Sequence, residues 1–116
     1  MRKRILVADD HSDIVQSMKE MLTPYCEVDT ATTGLETLIL FNKKEYDGLI
    51  IDVAFAGGMS GLETAARLRS KYKDLKILVF SATKYSDADR QQAVDIGAVF
   101  CEKPLSLDDV RRVMEI

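Results

Sequence analysis

Short apolar runs and helical periods alternate along the whole chain, and this constrains the fold more than any other feature. Ile5-Leu6-Val7-Ala8 is an uninterrupted apolar run, of the kind found in a strand buried on both faces. Behind it Ile14, Met18, Met21 and Leu22 recur at helical spacing until Thr23-Pro24 ends the segment. Cys26 to Thr30 reads as a second strand, more polar and therefore at a sheet edge. Thr33 and Glu36 fit a capping box and open a helix whose face is read as Leu35, Leu38, Ile39 and Asn42. Gly48 to Ile51 is a third run, and Ser60 and Glu63 form a second capping box before Leu62, Ala65, Ala66 and Leu68. Leu75 to Phe80 is a fourth strand. A weaker helix runs from Ser86 to about Ile96 and is closed by Gly97. Ala98 to Cys101 is the last strand, and Ser106 caps a final helix carrying Leu107, Val110, Val113 and Met114.

Strict alternation of strand and helix predicts an α/β fold with one parallel sheet and helices on both faces. Crossovers of this kind are right-handed, so few topologies remain. The flavodoxin-like doubly wound order 2-1-3-4-5 is the one expected here. It puts the polar second strand at an edge. It also separates Cys26 from Cys101, so no disulfide is expected between the chain's two cysteines.

The 116 residues suffice for one domain, read as 1–116. Hydrophobic content of 47% and charged content of 30% fit a water-soluble globular chain. A net charge of −3 without a basic run argues against direct nucleic-acid binding. No apolar run reaches the roughly 20 residues that span a bilayer, and MRKRILVADD has too short an apolar stretch for a signal peptide. A cytoplasmic protein is expected. One histidine and two cysteines without CxxC spacing make no usual zinc pattern.

The strand ends carry the chemistry. The first strand runs into Asp9 and Asp10, the third into Asp52, the fourth into Ser81 and the fifth into Lys103. In an open α/β sheet the site lies beyond the carboxyl ends of the strands. The expected order therefore gathers three acids, a hydroxyl and an amine. Two carboxylates about 5 Å apart repel by roughly 3 kcal/mol at an effective dielectric near 20. Lys103 offsets part of this, and a hard divalent cation such as Mg²⁺ would offset more. Asp9 and Asp10 are thus a candidate metal site rather than mere helix caps.

This constellation resembles the receiver domain of bacterial two-component response regulators. VADD, IID, VFSAT and CEKP follow strands 1, 3, 4 and 5. Each is weak alone, but the set is specific and spans the chain. The resemblance implies that Asp52 is the phosphoacceptor, taking a phosphoryl group from a phosphohistidine on a sensor histidine kinase or phosphotransfer protein. It implies Mg²⁺ held by Asp9, Asp10, Asp52 and the main-chain carbonyl of Ala54. It gives Lys103 an ion pair with the phosphoryl group and Ser81 a hydrogen bond to it. Phe100 matches the aromatic switch position, and the Lys103-Pro104 bond is often cis in such domains. A receiver is a signalling domain rather than an enzyme, although it assists its own Mg²⁺-dependent phosphoryl transfer and dephosphorylation. Its output domain or protein is not named by the sequence. The chain ends within its last helix, so a free-standing regulator and a receiver cut from a longer protein are both open.

Some features depart from the family. Asp52 to Gly61 reads DVAFAGGMSG, one residue longer than usual and without the proline. Gly57-Gly58 is expected to absorb the extra residue. His11 reads as a surface residue opening the first helix, since phosphohistidines of these systems sit on separate helical domains. Lys84-Tyr85 and the helix after them lie on a face receivers use for partners. A receiver-like binding module that works without phosphorylation is the alternative function. A haloacid-dehalogenase-type hydrolase would need D-x-D, absent at both Asp9 and Asp52. A flavodoxin would need a hydroxyl- and glycine-rich loop where this chain has acids.

Overall fold

The apolar runs form β1 (Arg4–Ala8), β2 (Glu27–Ala31), β3 (Gly48–Asp52), β4 (Lys76–Ser81) and β5 (Val99–Glu102). All pair in parallel, in the order β2-β1-β3-β4-β5 expected from the sequence. Between and after them lie α1 (Ser12–Leu22), α2 (Gly34–Lys43), α3 (Gly61–Lys71), α4 (Asp87–Asp95) and α5 (Leu107–Met114). The structure is a computed structural model that describes residues 2–53, 55, 58–81 and 86–116. None of its described helices is long and apolar enough to cross a membrane.

Strand pleating sorts the core into two layers. Leu6, Ala8, Leu49, Ile51, Ile77 and Val79 face one way, onto α2, α3 and α4. Ile5, Val7, Ile50, Leu78 and Phe80 face the other way, onto α1 and α5. The central strands are therefore apolar at successive positions, while the edges β2 and β5 are half-exposed. Cys26 directly precedes β2 and Cys101 lies in β5, and both thiols are free.

Local chemistry sets the helix ends. The hydroxyls of Thr33, Ser60, Ser86 and Ser106 accept from backbone N–H groups three residues on. Ser86 and Asp89 complete a reciprocal capping box. Glu36 instead bonds the N–H of Thr32, one residue before the cap. Gly97, with φ +69°, ends α4 in the left-handed conformation that glycine adopts without strain.

The face of α2 differs from the expected one. Gly34, Thr37 and Phe41 are buried, whereas Leu35 is 63% and Ile39 43% exposed. The segment LETLILF is apolar on nearly every side, so its period does not choose a face. Tertiary contact does. A Cβ on Gly34 would lie 2.4 Å from the Thr64 hydroxyl oxygen, so only glycine allows α2 to approach α3 this closely. Phe41 then packs between Tyr46 and Tyr72, with ring centroids 4.6 and 5.6 Å away. In α1, Val15 is likewise buried, beside Met18 and Leu22.

A second close approach seats α3 on the end of β3. The N–H of Gly61 donates to the Val53 carbonyl at 2.9 Å. A Cβ on Gly61 would stand 1.5 Å from the Asp52 carbonyl oxygen. No side chain fits there without displacing the backbone that carries Asp52.

At the edge of the sheet, the Tyr46 hydroxyl donates to Asp29 at 2.7 Å, and the Lys44 ammonium lies 3.3 Å from the same oxygen. Burial pushes the Asp29 carboxyl up, but these two partners outweigh it and hold it below 3.8.

Three outcomes follow from these contacts. Phe41→Ala is expected to cost about 3–5 kcal/mol in urea unfolding and Leu35→Ala less than about 0.5 kcal/mol; equal losses would reverse the assigned face. Gly61→Ala is expected to cost about 1–3 kcal/mol or more by the same measurement. A carboxyl lowered by folding adds stability above its unfolded pKa and loses it as pH falls through the folded value. The Tm gap between wild type and Asp29→Asn is therefore expected to be full near neutral pH and to close below about pH 4. A gap unchanged in melts down to about pH 2 would show that the Asp29 charge contributes nothing.

Candidate functional site

β3 and β4 end on the polar residues Asp52 and Ser81, and β1 and β5 stop one residue short of Asp9 and Lys103, where the ladder runs slightly past the strand. The Asp9 N–H still bonds the Ala31 carbonyl at 3.1 Å, and the Lys103 N–H bonds the Ser81 carbonyl at 2.9 Å. Asp52 is the last residue of β3, in register with Phe80. The pleat then assigns sides. Asp9 continues Ile5 and Val7, Asp52 continues Ile50, and Lys103 continues Cys101, all residues of the layer shared with α1 and α5. Ser81 continues Val79 on the opposite side, where Phe100 also packs.

The ammonium of Lys103 joins the two buried acids. Its Nζ lies 2.9 Å from Asp9 Oδ2 and 3.3 Å from Asp52 Oδ2, and 4.8 Å from the centre of the Phe80 ring. Asp9 is fully buried, Asp52 and Ser81 are each 7% exposed, and the Lys103 side chain is 14% exposed. Burial pushes the Asp9 carboxyl up. The Lys103 ammonium and the hydrogen bonds from His11 outweigh it and leave Asp9 below its ordinary value. Burial works against the Lys103 charge as well, yet Asp9 and Asp52 hold its pKa above the usual lysine value. The pair is thus charged on both sides in a poorly solvated place.

His11 is the residue whose place the sequence did not reveal. It is exposed and stands at the N-cap of α1, as expected, but its side chain caps nothing. Its N–H donates to Asp9 Oδ1 at 2.9 Å. Its Nδ1 lies 2.9 Å from that same oxygen and 3.0 Å from Asp10 Oδ1. The hydrogen bond to Asp9, with the charges of Asp10 and Asp9, holds the imidazole above its ordinary pKa. The only available sequence signal was its adjacency to the acid pair.

Asp9, Asp10, His11 and Asp52 each offer one ligand atom, all within 4.8 Å of one another. Carboxylate oxygens in this number suit a hard divalent cation. Ala54, whose carbonyl was expected to join them, lies outside the described residues, as do Gly57 and Lys84-Tyr85. Gly58 has a φ of +66°, a backbone conformation that glycine adopts without strain. The Lys103-Pro104 bond is cis. An apolar groove of about 450 Å³ flanks the site, lined by Ile14, Met18, Met21, Phe80, Pro104 and Leu105 among others.

Known proteins share this fold. The family model described as the response regulator receiver domain matches residues 5–115. The response regulator MprA of Mycobacterium bovis is 34% identical over 112 residues, which are 95% of this chain and 48% of that protein. The chain spans about half the length of the curated relatives it matches. Among solved structures, the chemotaxis protein CheY4 of Vibrio cholerae has a TM-score of 0.84 at 30% identity, covering 97% of this chain and 99% of that one. The response regulator TrrA of Thermotoga maritima, solved in complex with Mg²⁺-BeF, has a TM-score of 0.84 at 34% identity, covering 97% and 96%. With its sheet order, its strand-end acids and these likenesses, the chain belongs to the response regulator receiver domain family.

Proposed function

We propose that this domain, read as residues 1–116, is a phosphoacceptor in a two-component phosphorelay, and that Asp52 is the residue phosphorylated. The observation that carries the reading is Lys103 bridging Asp9 and Asp52 on one side of the sheet edge. A carboxylate oxygen of Asp52 attacks the phosphorus of a phosphohistidine on a sensor histidine kinase or phosphotransfer protein. The phosphorus–nitrogen bond breaks, the imidazole leaves, and an aspartyl phosphate forms. Lys103 already points at the Asp52 oxygens, so its ammonium pairs with the incoming phosphoryl group without a change of side. Asp9, Asp10, Asp52 and the Ala54 carbonyl are the residues that would hold Mg²⁺. That ion supplies charge neutralisation and alignment for in-line transfer.

Ser81 donates its hydroxyl proton to a phosphoryl oxygen in the active state. Phe100 shares its side of the sheet, so a shift at Ser81 has an aromatic ring to move. The output domain or partner protein then reads the altered face, and the domain hydrolyses its own aspartyl phosphate to reset. Such a relay works in the cytoplasm. This reading gives the domain no direct role in nucleic-acid or membrane binding.

Incubation with acetyl phosphate, followed by intact-mass spectrometry, tests the proposal. One added phosphoryl group is expected, dependent on Mg²⁺ and absent in Asp52→Asn. No adduct, together with no beryllofluoride-induced NMR shifts at Ser81 and Phe100, would overturn it. That result would favour a binding module that works without phosphorylation.

A further inference from the structure

His11 places its imidazole against both acids of the Asp9-Asp10 pair. It is the chain's one histidine. Its Nδ1 lies 2.9 Å from Asp9 Oδ1 and 3.0 Å from Asp10 Oδ1. Ligand atoms at right angles around an ion, with bonds of about 2.1 Å, are themselves about 3.0 Å apart. The two distances from His11 Nδ1 therefore match edges of a coordination sphere, and the four residues Asp9, Asp10, His11 and Asp52 offer ligand atoms within 4.8 Å of one another. Lys103 approaches Asp9 through the other oxygen, Oδ2, and so leaves the Oδ1 side to His11. The imidazole is 62% exposed and makes no capping bond to α1, so no helix contact is lost if it turns to a metal.

We propose that His11 is an additional protein ligand at this site, which makes it a mixed nitrogen and oxygen site. The inference rests on the reading that Asp9 and Asp10 hold a divalent cation. An all-oxygen set suits Mg²⁺. A neutral imidazole adds a softer donor, which favours later first-row ions over Mg²⁺. The consequence is a site in this chain with a stronger preference for ions such as Co²⁺ than its acids alone would give.

Calorimetric titration of tag-free protein with Mg²⁺ and with Co²⁺ separates the possibilities, using wild type, His11→Ala and Asp10→Asn. His11→Ala is expected to weaken Co²⁺ by about 10-fold or more and to change Mg²⁺ by less than about 3-fold. The visible band of the Co²⁺ adduct is expected to move to lower energy in His11→Ala, because a nitrogen donor is lost. If Asp10→Asn abolishes binding of both ions while His11→Ala alters neither affinity nor spectrum, the acid site stands and the His11 assignment falls. If Asp10→Asn leaves Mg²⁺ binding intact, the acid-pair reading falls and takes the His11 assignment with it.

Discussion

An ammonium group between two buried carboxylates is the constraint on which the rest of this structure depends. Asp9 and Asp52 sit at the carboxyl ends of adjacent strands, almost fully out of water. Ionised carboxylates in such a place are costly unless paired. Lys103 reaches both, but only because β5 lies beside β4 and its chain continues the ladder through the bond to the Ser81 carbonyl. The sheet order and the charge balance are thus one requirement. Asp9 and Asp52 are buried together in a topology that brings them an amine from the far end of the chain.

The backbone around Asp52 is held as tightly as its side chain. Gly61 presses against the Asp52 carbonyl, and the first turn of α3 donates to Val53. The opposite side of the sheet edge is held less firmly. In α4 only Ala93 is buried. The C-terminal end of that helix is tied to α3 by Arg69, whose Nε donates to the Ile96 carbonyl at 2.6 Å. Few buried apolar contacts mark the elements that open or shift at low cost. The backbone at Asp52 is thus closely packed, while α4 is lightly anchored.

Much of this was legible beforehand, and the exceptions have physical causes. The runs Ile5 to Ala8 and Gly48 to Ile51 read as strands because a doubly covered sheet needs apolar residues at successive positions. The hydroxyl caps at Thr33, Ser60, Ser86 and Ser106 read as helix starts because their bonds are local. The buried face of α2 was not legible, since Leu35 and Ile39 satisfy a helical period as well as Gly34 and Phe41 do. Gly61 was read only as a mark of loop spacing, because its necessity comes from a strand nine residues earlier. The turn of His11 onto its neighbouring acids depends on side-chain rotation at a helix start, which no periodicity encodes.

The sequence by itself determined the alternation of strand and helix, the polar residues at the strand ends and the caps that start most helices. These follow from side-chain polarity, spacing and hydrogen bonds spanning a few residues. Tertiary structure alone decided which face of α2 is buried, how near α3 may come to Asp52, and that Lys103 bridges Asp9 and Asp52 while His11 turns to the other side of Asp9. Those outcomes depend on distances between groups far apart in the chain or on a rotamer chosen by its surroundings. Only the packed molecule sets these distances.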